Sequence, residues 1–283
     1  MSNLKLRVLL IITVLPFLFS LIFLLPHFNY LALSIVGAAF SISGTYETWK
    51  LFYGKYDKTD FAFVTIIAYS IPLIVYLEIA SLIPYNSVYY FSGILIFFIF
   101  TYQIFTRDEN SYSEINKKTS TLLVLMFYPG LFFSYTLRFS TLHYPSYALL
   151  VFMVIVFFND ILAYVTGMLW GKTSRKVVPI SPKKSMIGFI GGFSSSVIFS
   201  LIFYFIKPAF FAGNYYYALI TGAVVGIVSI IGDLNESAMK RSARLKDSGD
   251  VLPGRGGILD NIDSLIFSAP VYYFLIKYIS LNG

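Results

Sequence analysis

Residues 147–170 read YALLVFMVIVFFNDILAYVTGMLW, a largely apolar run that carries Asn159 and Asp160 near its centre. A helix that crosses the hydrocarbon layer of a bilayer needs about 20 mostly apolar residues, and this run is long enough. Lipid offers the backbone no hydrogen bonds, so the run must satisfy its own N–H and C=O groups as a helix. It therefore predicts a transmembrane helix.

Similar runs occur along the whole chain of 283 residues, of which 57% are hydrophobic and 12% charged. A soluble core does not explain that composition, and the runs predict an all-α, polytopic membrane bundle of about nine transmembrane helices. Lys5 and Arg7 precede the first run as in a signal peptide, but no small-residue cleavage site follows, so we interpret it as a span. The predicted spans are Val8–Leu25, Tyr30–Trp49, Phe61–Ile83, Tyr89–Phe105, Thr119–Leu137, Tyr147–Trp170, Ile187–Ile206, Tyr216–Gly232 and Ile262–Ile279.

The spans form one membrane domain, residues 1–283, because no long linker or strong repeat divides the chain. Residues 1–158 supply the N-terminal spans, residues 159–264 carry the polar motifs, and residues 265–283 form the last span. Gly188 and Gly192 are four residues apart, as are Gly222 and Gly226, a spacing that lets helix backbones approach closely. The pairs predict close packing of the seventh and eighth spans, although glycine is also common in membrane helices generally.

Lysine and arginine gather on one side of the predicted bundle. If nine spans alternate in direction, 18 of the 21 cations lie on the side of the N-terminus, and only Arg138, Lys207 and Lys277 lie on the other. Cytoplasmic loops retain Lys and Arg, so we expect the N-terminus and the even-numbered loops on the cytosolic side of a bacterial inner (plasma) membrane. The same count explains the net charge of +7 without nucleic acid as a partner.

Asp160 and Glu78 lie well inside apolar runs of predicted spans, where charge is costly and usually faces the bundle interior or a wet cavity. Asp160 follows Asn159 in the sixth span and is a functional candidate, with a structural carboxylate paired to a neighbouring helix as the alternative. Glu78 has no polar neighbours in sequence, so a structural role is favoured for it.

A basic loop, residues 171–184, contains five cations and no acidic residue. Anionic lipid headgroups would attract such a loop. Its end, Ser181-Pro182-Lys183-Lys184-Ser185, also suits a bound phosphate, because hydroxyls flank two point charges on a stiff turn. Both interpretations stay open from the local sequence.

Residues 232–264 hold six of the 14 carboxylates beside five cations. The chain has no cysteine and its two histidines lie elsewhere, so acids such as Asp233, Asp260 and Asp263 predict a hard-oxygen site for Mg²⁺ or Mn²⁺ rather than zinc. Cations around such a metal indicate phosphate chemistry. The alternative is a solvated charged loop, which has no need of the Pro-Gly turn Pro253-Gly254-Arg255-Gly256-Gly257 between the acid pairs.

These motifs together resemble those of the phosphatidate cytidylyltransferases, also called CDP-diacylglycerol synthases. The resemblance covers residues 159–264, and so many matches in one order are specific. The matching positions are Asn159-Asp160, Ala163-Tyr164, Gly167, Gly171, Ser181-Pro182-Lys183-Lys184-Ser185, Gly188, Gly232-Asp233-Leu234, Glu236, Ser237, Lys240-Arg241, Lys246-Asp247, Pro253-Gly254, Gly256-Gly257, Leu259-Asp260 and Asp263-Ser264.

The resemblance implies a nucleotidyltransferase of phospholipid biosynthesis that moves CMP from CTP to phosphatidic acid, releasing pyrophosphate. It implies Mg²⁺ or Mn²⁺ held by Asp233 and Asp260, a site facing the cytosol, membrane lipids as surroundings, and a homodimer as one open oligomeric state. The residues it implies for catalysis are Asp233, Asp260, Lys240, Arg241, Lys246, Asp247 and Asp263, and those for substrate binding are Ser181, Lys183, Lys184, Ser185, Asn159, Asp160, Ser237 and Arg255.

Three positions depart from the family's pattern. Arg255 stands where the family has histidine, Asn261 where it has arginine, and Ile187 where it has glutamate. A guanidinium gained at 255 could offset the one lost at 261, which is a hypothesis about the site's charge. CTP-dependent activation or phosphorylation of another lipid, such as an isoprenoid lipid, and a non-catalytic or weakened homologue or transporter remain the alternatives.

The orientation is testable in intact cells with single cysteines, because the chain contains none of its own. We expect a cysteine at Ser174, in the basic loop, to resist a membrane-impermeant thiol reagent added from outside, and a cysteine at Asn282 to react. Preferential labelling at position 174 would reverse the assignment.

Overall fold

The computed structural model describes residues 16–282 except residues 55–57, 106–108, 177, 250 and 252–255. Throughout these described ranges every regular element is a helix. Within them, eight helical stretches, one of which is the composite Tyr112–Thr141, are long and apolar enough to cross a membrane. The chain is therefore a polytopic helical membrane protein, as its sequence predicts.

The helices follow the apolar runs closely. The first predicted run, Val8–Leu25, begins outside the described residues, and its residues 16–23 are helical. The remaining helices are α1 (His27–Tyr53), α2 (Lys58–Ile79), α3 (Ser87–Tyr102), α4 (Ile115–Leu125), α5 (Phe133–Arg138), α6 (Pro145–Trp170), α7 (Met186–Ile206), α8 (Tyr215–Ser242) and α9 (Leu259–Asn282).

The eighth span is longer than the run Tyr216–Gly232 that predicted it. Helix α8 continues to Ser242 and so carries Asp233, Glu236 and Lys240 on a helix rather than in a loop. Hydropathy ends at the first acid, but the side chains that follow recur at helical spacing, and Lys240 pairs with Glu236 one turn earlier. The polar end of α8 is thus a continuous helical extension of its apolar, membrane-spanning part.

The fifth span is a composite of α4, a π-helical segment (Met126–Phe132) and α5. Pro129 lies inside the π-helical segment. Proline has no N–H to donate and crowds the preceding turn, so a locally wider turn accommodates it. Ser41 on α1 donates a hydrogen bond of 2.6 Å to the Pro129 carbonyl, which fixes this irregular segment against the first half of the bundle.

Helices α6, α7, α8 and α9 pack in sequence against one another. A Cβ added at Gly222 would lie 2.7 Å from the Ser196 carbonyl of α7, which confirms the predicted close packing of the seventh and eighth spans. Gly188 and Gly192 of α7 instead meet α6, since a Cβ at either would lie 2.9 Å from a carbonyl oxygen of that helix. Both glycine pairs therefore sit at helix contacts.

Glu78 is buried with Arg138 at the end of the bundle away from the basic loop. Glu78 Oε2 pairs with the guanidinium and Oε1 accepts the Val88 N–H at the start of α3. The rings of Tyr85 and Tyr89 lie 5.8 Å from the Arg138 guanidinium carbon. Glu78 therefore has the structural role that its sequence context favours.

Replacement of Glu78 tests that role. Glu78→Gln leaves the Arg138 charge buried and unneutralised, so we expect the free energy of unfolding in detergent to fall by about 3 kcal/mol. The control is Glu114→Gln, because Glu114 pairs with Lys117 at 3.8 Å while both side chains are more than half exposed. Equal thermal midpoints for the two variants would contradict a structural role for the Glu78–Arg138 pair.

Candidate active site

A cavity of about 700 Å³ lies among α6, α7, α8, α9 and the segment that precedes α7. It collects residues that are up to 104 positions apart in the chain. The sequence-predicted site residues that line it are Asn159, Asp160, Ser181, Lys183, Lys184, Ser185, Asp233, Asp260 and Asp263. Two separate motif blocks thus meet at one place.

Asn159 fixes the α6 wall of this cavity. Its side chain is 1% exposed, and Nδ2 donates to Ser196 Oγ of α7 at 2.8 Å and to the Gly226 carbonyl of α8 at 3.1 Å. One amide therefore joins three helices at a point where the glycine contacts bring their backbones together. Its neighbour Asp160 accordingly has a defined position beside the cavity.

The basic loop is folded back onto the end of α6. Lys176 and Ser185 form an antiparallel bridge, and the Met186 N–H donates to the Arg175 carbonyl at 3.0 Å. Ser185 caps α7 by accepting the Gly188 N–H at 3.3 Å. Lys183 and Lys184, just before this cap, are held at the cavity.

Two lysines neutralise acids around the cavity. Lys184 pairs with Asp233 Oδ2, joining the basic loop to α8. Lys240 pairs with both Glu236 Oε2 of its own helix and Asp260 Oδ1 at the start of α9. Glu236 is fully buried and its Oε1 has no hydrogen-bond partner among the described residues. The lysines therefore join the basic loop to α8, and α8 to α9.

Asp260 also organises the turn that leads into α9. Its Oδ2 atom accepts the Ser248 N–H (2.8 Å), the Ser248 hydroxyl (2.9 Å) and the Gly257 N–H (2.8 Å). Gly256 has φ +86°, and a side chain there would also strike Asp260. This position confirms the predicted need for glycine in the turn. Oδ2 thus accepts three hydrogen bonds, and Oδ1 pairs with Lys240.

Asp263, one turn further along α9, is 6% exposed. Its Oδ1 accepts the Ser264 N–H at 2.6 Å, and the charges of Asp233, Glu236 and Asp160 lie near enough to repel its own. Ser264 Oγ donates to Asp160 Oδ1 at 3.4 Å, linking α9 to α6. Acids therefore outnumber the paired lysines at this end of the bundle.

The donor set fits a hard divalent cation better than any softer metal. All candidate ligands are carboxylate oxygens, and Asp160, Asp233, Asp260 and Asp263 line one cavity. Among the described residues no three acid or histidine side chains already converge at metal-binding distances. Lys184 and Lys240 instead pair with Asp233 and Asp260. A metal ion bound there would share the carboxylate oxygens with these lysines or displace them.

Other predicted site residues lie around the cavity rather than in its wall. Ser237 and Lys240 are on α8, and Lys246 and Asp247 are exposed in the connection to α9. Arg241 is exposed, donates to the Leu245 carbonyl at 3.1 Å and borders a surface pocket of about 730 Å³ beside Pro182. Arg255 lies outside the described residues, so its predicted role stays a prediction.

Glu236 and Glu47 were not predicted from the sequence as site residues. Glu236 matched the resemblance, and its helical spacing to Lys240 is the signal that could have selected it. Glu47 carries a weaker signal, a carboxylate near the end of a predicted span. Its partners, Ser248, Ile258 and Leu259, are more than 200 positions away, and the contact is visible only in the fold.

Comparison with known proteins gives consistent results. The model of the cytidylyltransferase family matches residues 5–279. The chain is 36% identical over 183 residues to the phosphatidate cytidylyltransferase of Staphylococcus haemolyticus, covering 64% of this chain and 66% of that protein. It is 33% identical over 184 residues to that of Bacillus subtilis, covering 64% and 65%.

A third relative has no assigned activity. The uncharacterized protein YnbB of Escherichia coli K12 is 48% identical over 123 residues, which cover 42% of this chain and 39% of that protein. The chain thus spans from about two fifths to just under two thirds of the length of these curated relatives.

Proposed function

The chain belongs to the cytidylyltransferase family, and from this membership and the cavity's chemistry we propose that it transfers CMP from CTP to phosphatidic acid, giving CDP-diacylglycerol and pyrophosphate. Several relatives are named phosphatidate cytidylyltransferases. The observation that carries the proposal is the meeting of the Ser181–Ser185 segment with the acids of α8 and α9 in one cavity. Cations for phosphate and ligands for a metal are then within reach of the same substrate.

The proposed reaction requires little acid–base catalysis. A phosphate monoester is already ionised near pH 7, so the phosphatidic acid oxygen attacks the α-phosphorus of CTP without a strong base. The P–O bond to pyrophosphate breaks as the new bond forms. The main barrier is the repulsion between two anionic substrates, which positioned cations reduce.

Lys183 and Lys184 supply positive charge on the side of the basic loop, and Lys240 supplies it between α8 and α9. Their flexible ammonium groups can leave Asp233 and Asp260 for phosphate oxygens when substrate binds. Asp233 and Asp260 would hold Mg²⁺ or Mn²⁺, with Asp263 and Asp160 beside them. A bound divalent ion would neutralise charge that develops on the attacking and leaving oxygens.

The cavity also has an apolar side suited to a lipid substrate. Tyr164 and Met168, one turn apart on α6, line it, and their side chains are 57% and 59% exposed. In a membrane this exposed strip faces the acyl chains, so a diacylglycerol phosphate can approach from the bilayer. CTP approaches from the side that carries most of the cations, which we propose is the cytosol.

Asn261 and Ile187, two of the residues that depart from the family's motifs, each form a hydrogen bond in the structure. Asn261 Nδ2 donates to the Gly257 carbonyl at 2.8 Å and so closes the turn before α9. The Ile187 N–H donates to Ser174 Oγ at 3.1 Å within the basic loop. Neither Asn261 nor Ile187 lines the cavity.

Removal of the proposed metal ligands tests the function. Asp233→Asn and Asp260→Asn keep the size of each side chain but remove an anionic oxygen, so we expect each to lower CMP transfer by roughly a factor of 100 or more. The assay combines purified protein, labelled CTP, Mg²⁺ and a panel of lipid phosphates that includes phosphatidic acid and an isoprenoid phosphate.

The matched control is Glu114→Gln, an exposed acid outside the cavity, which should retain its activity. Near-normal pyrophosphate release by Asp233→Asn and Asp260→Asn would contradict the metal assignment. Product formed only with the isoprenoid phosphate would overturn phosphatidic acid as the substrate.

A further inference from the structure

Glu47 is a buried acid of α1 that contacts the half of the chain that carries the candidate site. It lies near the end of α1 and is 8% exposed. Its hydrogen-bond partners are Ser248, Ile258 and Leu259, all in the connection between α8 and α9 or at the start of α9. A buried carboxylate is retained at low cost only when donors satisfy it.

The two oxygens of Glu47 bind the start of α9 as a fork. Oε1 accepts the Ile258 N–H at 2.9 Å, and Oε2 accepts the Leu259 N–H at 2.8 Å. The first N–H groups of a helix have no acceptor within the helix, and the helix dipole favours an anion there. Glu47 therefore caps α9 from another helix of the bundle.

Ser248 connects this cap to Asp260. Its hydroxyl lies 3.0 Å from Glu47 Oε2 and 2.9 Å from Asp260 Oδ2, and its N–H donates to the same Asp260 oxygen. The hydroxyl proton is thus shared between the two acids. Displacement of Glu47 would shift Ser248, the Gly257 turn and the Asp260 carboxylate together.

The turn leaves room for Glu47 only because two of its residues are glycine. A Cβ at Gly249 would lie 2.9 Å from Glu47 Oε1, and a Cβ at Gly257 would overlap both Oε2 and the Ser248 hydroxyl. The close approach on both sides indicates a single position for the carboxylate. Such a fit is expected for a side chain that sets geometry rather than one that fills space.

We propose that Glu47 is a positioning residue for the reaction proposed above: it holds the turn before α9 and, through Ser248, orients Asp260 toward the substrates. It does not line the cavity and touches no reacting atom. The proposal rests on the proposed function for its kinetic consequence. Its structural consequence, the fixed position of Ser248 and of residues 257–259, is independent of any activity.

The test compares Glu47→Gln with Glu78→Gln in the purified full-length protein. The two acids are matched, since each is buried and each accepts an N–H at the start of a helix, but Glu78 lies at the other end of the bundle. In Glu47→Gln the amide NH₂ faces a backbone donor, so we expect amide hydrogen exchange to rise about tenfold or more in residues 248–259 alone. Glu78→Gln weakens the other end of the bundle, so it should not raise exchange in that segment above the rise in the rest of the chain.

The kinetic readout is the Mg²⁺ concentration that gives half-maximal CMP transfer. Loss of a side chain that orients a metal ligand typically costs 10–100-fold in metal affinity or activity, so we expect a rise of about tenfold for Glu47→Gln. Glu78→Gln should leave it unchanged. Ser248→Ala should raise it as well, and the double variant Glu47→Gln with Ser248→Ala should cost less than the two effects combined, because both act through Asp260.

Unchanged hydrogen exchange in residues 248–259 of Glu47→Gln would overturn the positioning role, and so would a uniform rise over the whole chain. An unchanged Mg²⁺ requirement in an active enzyme would overturn the link to Asp260. If the wild type transferred no CMP but Glu47→Gln still loosened residues 248–259 selectively, the proposed function would fail while the role of Glu47 in ordering the turn would stand.

Discussion

The ammonium of Lys240 lies between two carboxylates, Glu236 one turn earlier on α8 and Asp260 at the start of α9. A buried carboxylate in a membrane bundle is costly unless cations or hydrogen-bond donors compensate it. This bridge therefore determines how the two helices meet at their polar ends. Lys184 compensates Asp233 in the same way and fixes the basic loop against α8.

The same charges explain why the cavity suits a metal and a polyphosphate together. More carboxylates than ammonium groups surround it, and Asp263 is buried among acids. A divalent cation reduces this excess, and lysines released from their acids can then neutralise phosphate oxygens. A nucleotide without a metal ion would add negative charge that the acids repel, so the nucleotide and the metal ion would have to bind together for the charges of the site to be neutralised. This arrangement supports our proposal that a nucleotide binds together with its metal.

The fold was largely predictable because lipid imposes a simple rule, a helix for each apolar run of sufficient length. The motif residues Lys184, Asp233 and Asp260 were recognisable from sequence, and the fold brings them to one cavity. What hydropathy could not predict were polar or irregular features. Helix α8 continues beyond its apolar part, and Pro129 sits in a π-helical segment. Glu47 was missed because its partners are distant in the sequence and contact it only after folding.

The position of the label in the lipid product is the most direct test of the proposed reaction. Purified protein would be incubated with Mg²⁺, phosphatidic acid and CTP labelled either at the α- or at the γ-phosphorus. Transfer of CMP predicts that only the α-label enters the lipid, while the γ-label leaves as pyrophosphate. Entry of the γ-label into the lipid would identify a CTP-dependent kinase, and absence of both labels would contradict nucleotidyl transfer to this lipid.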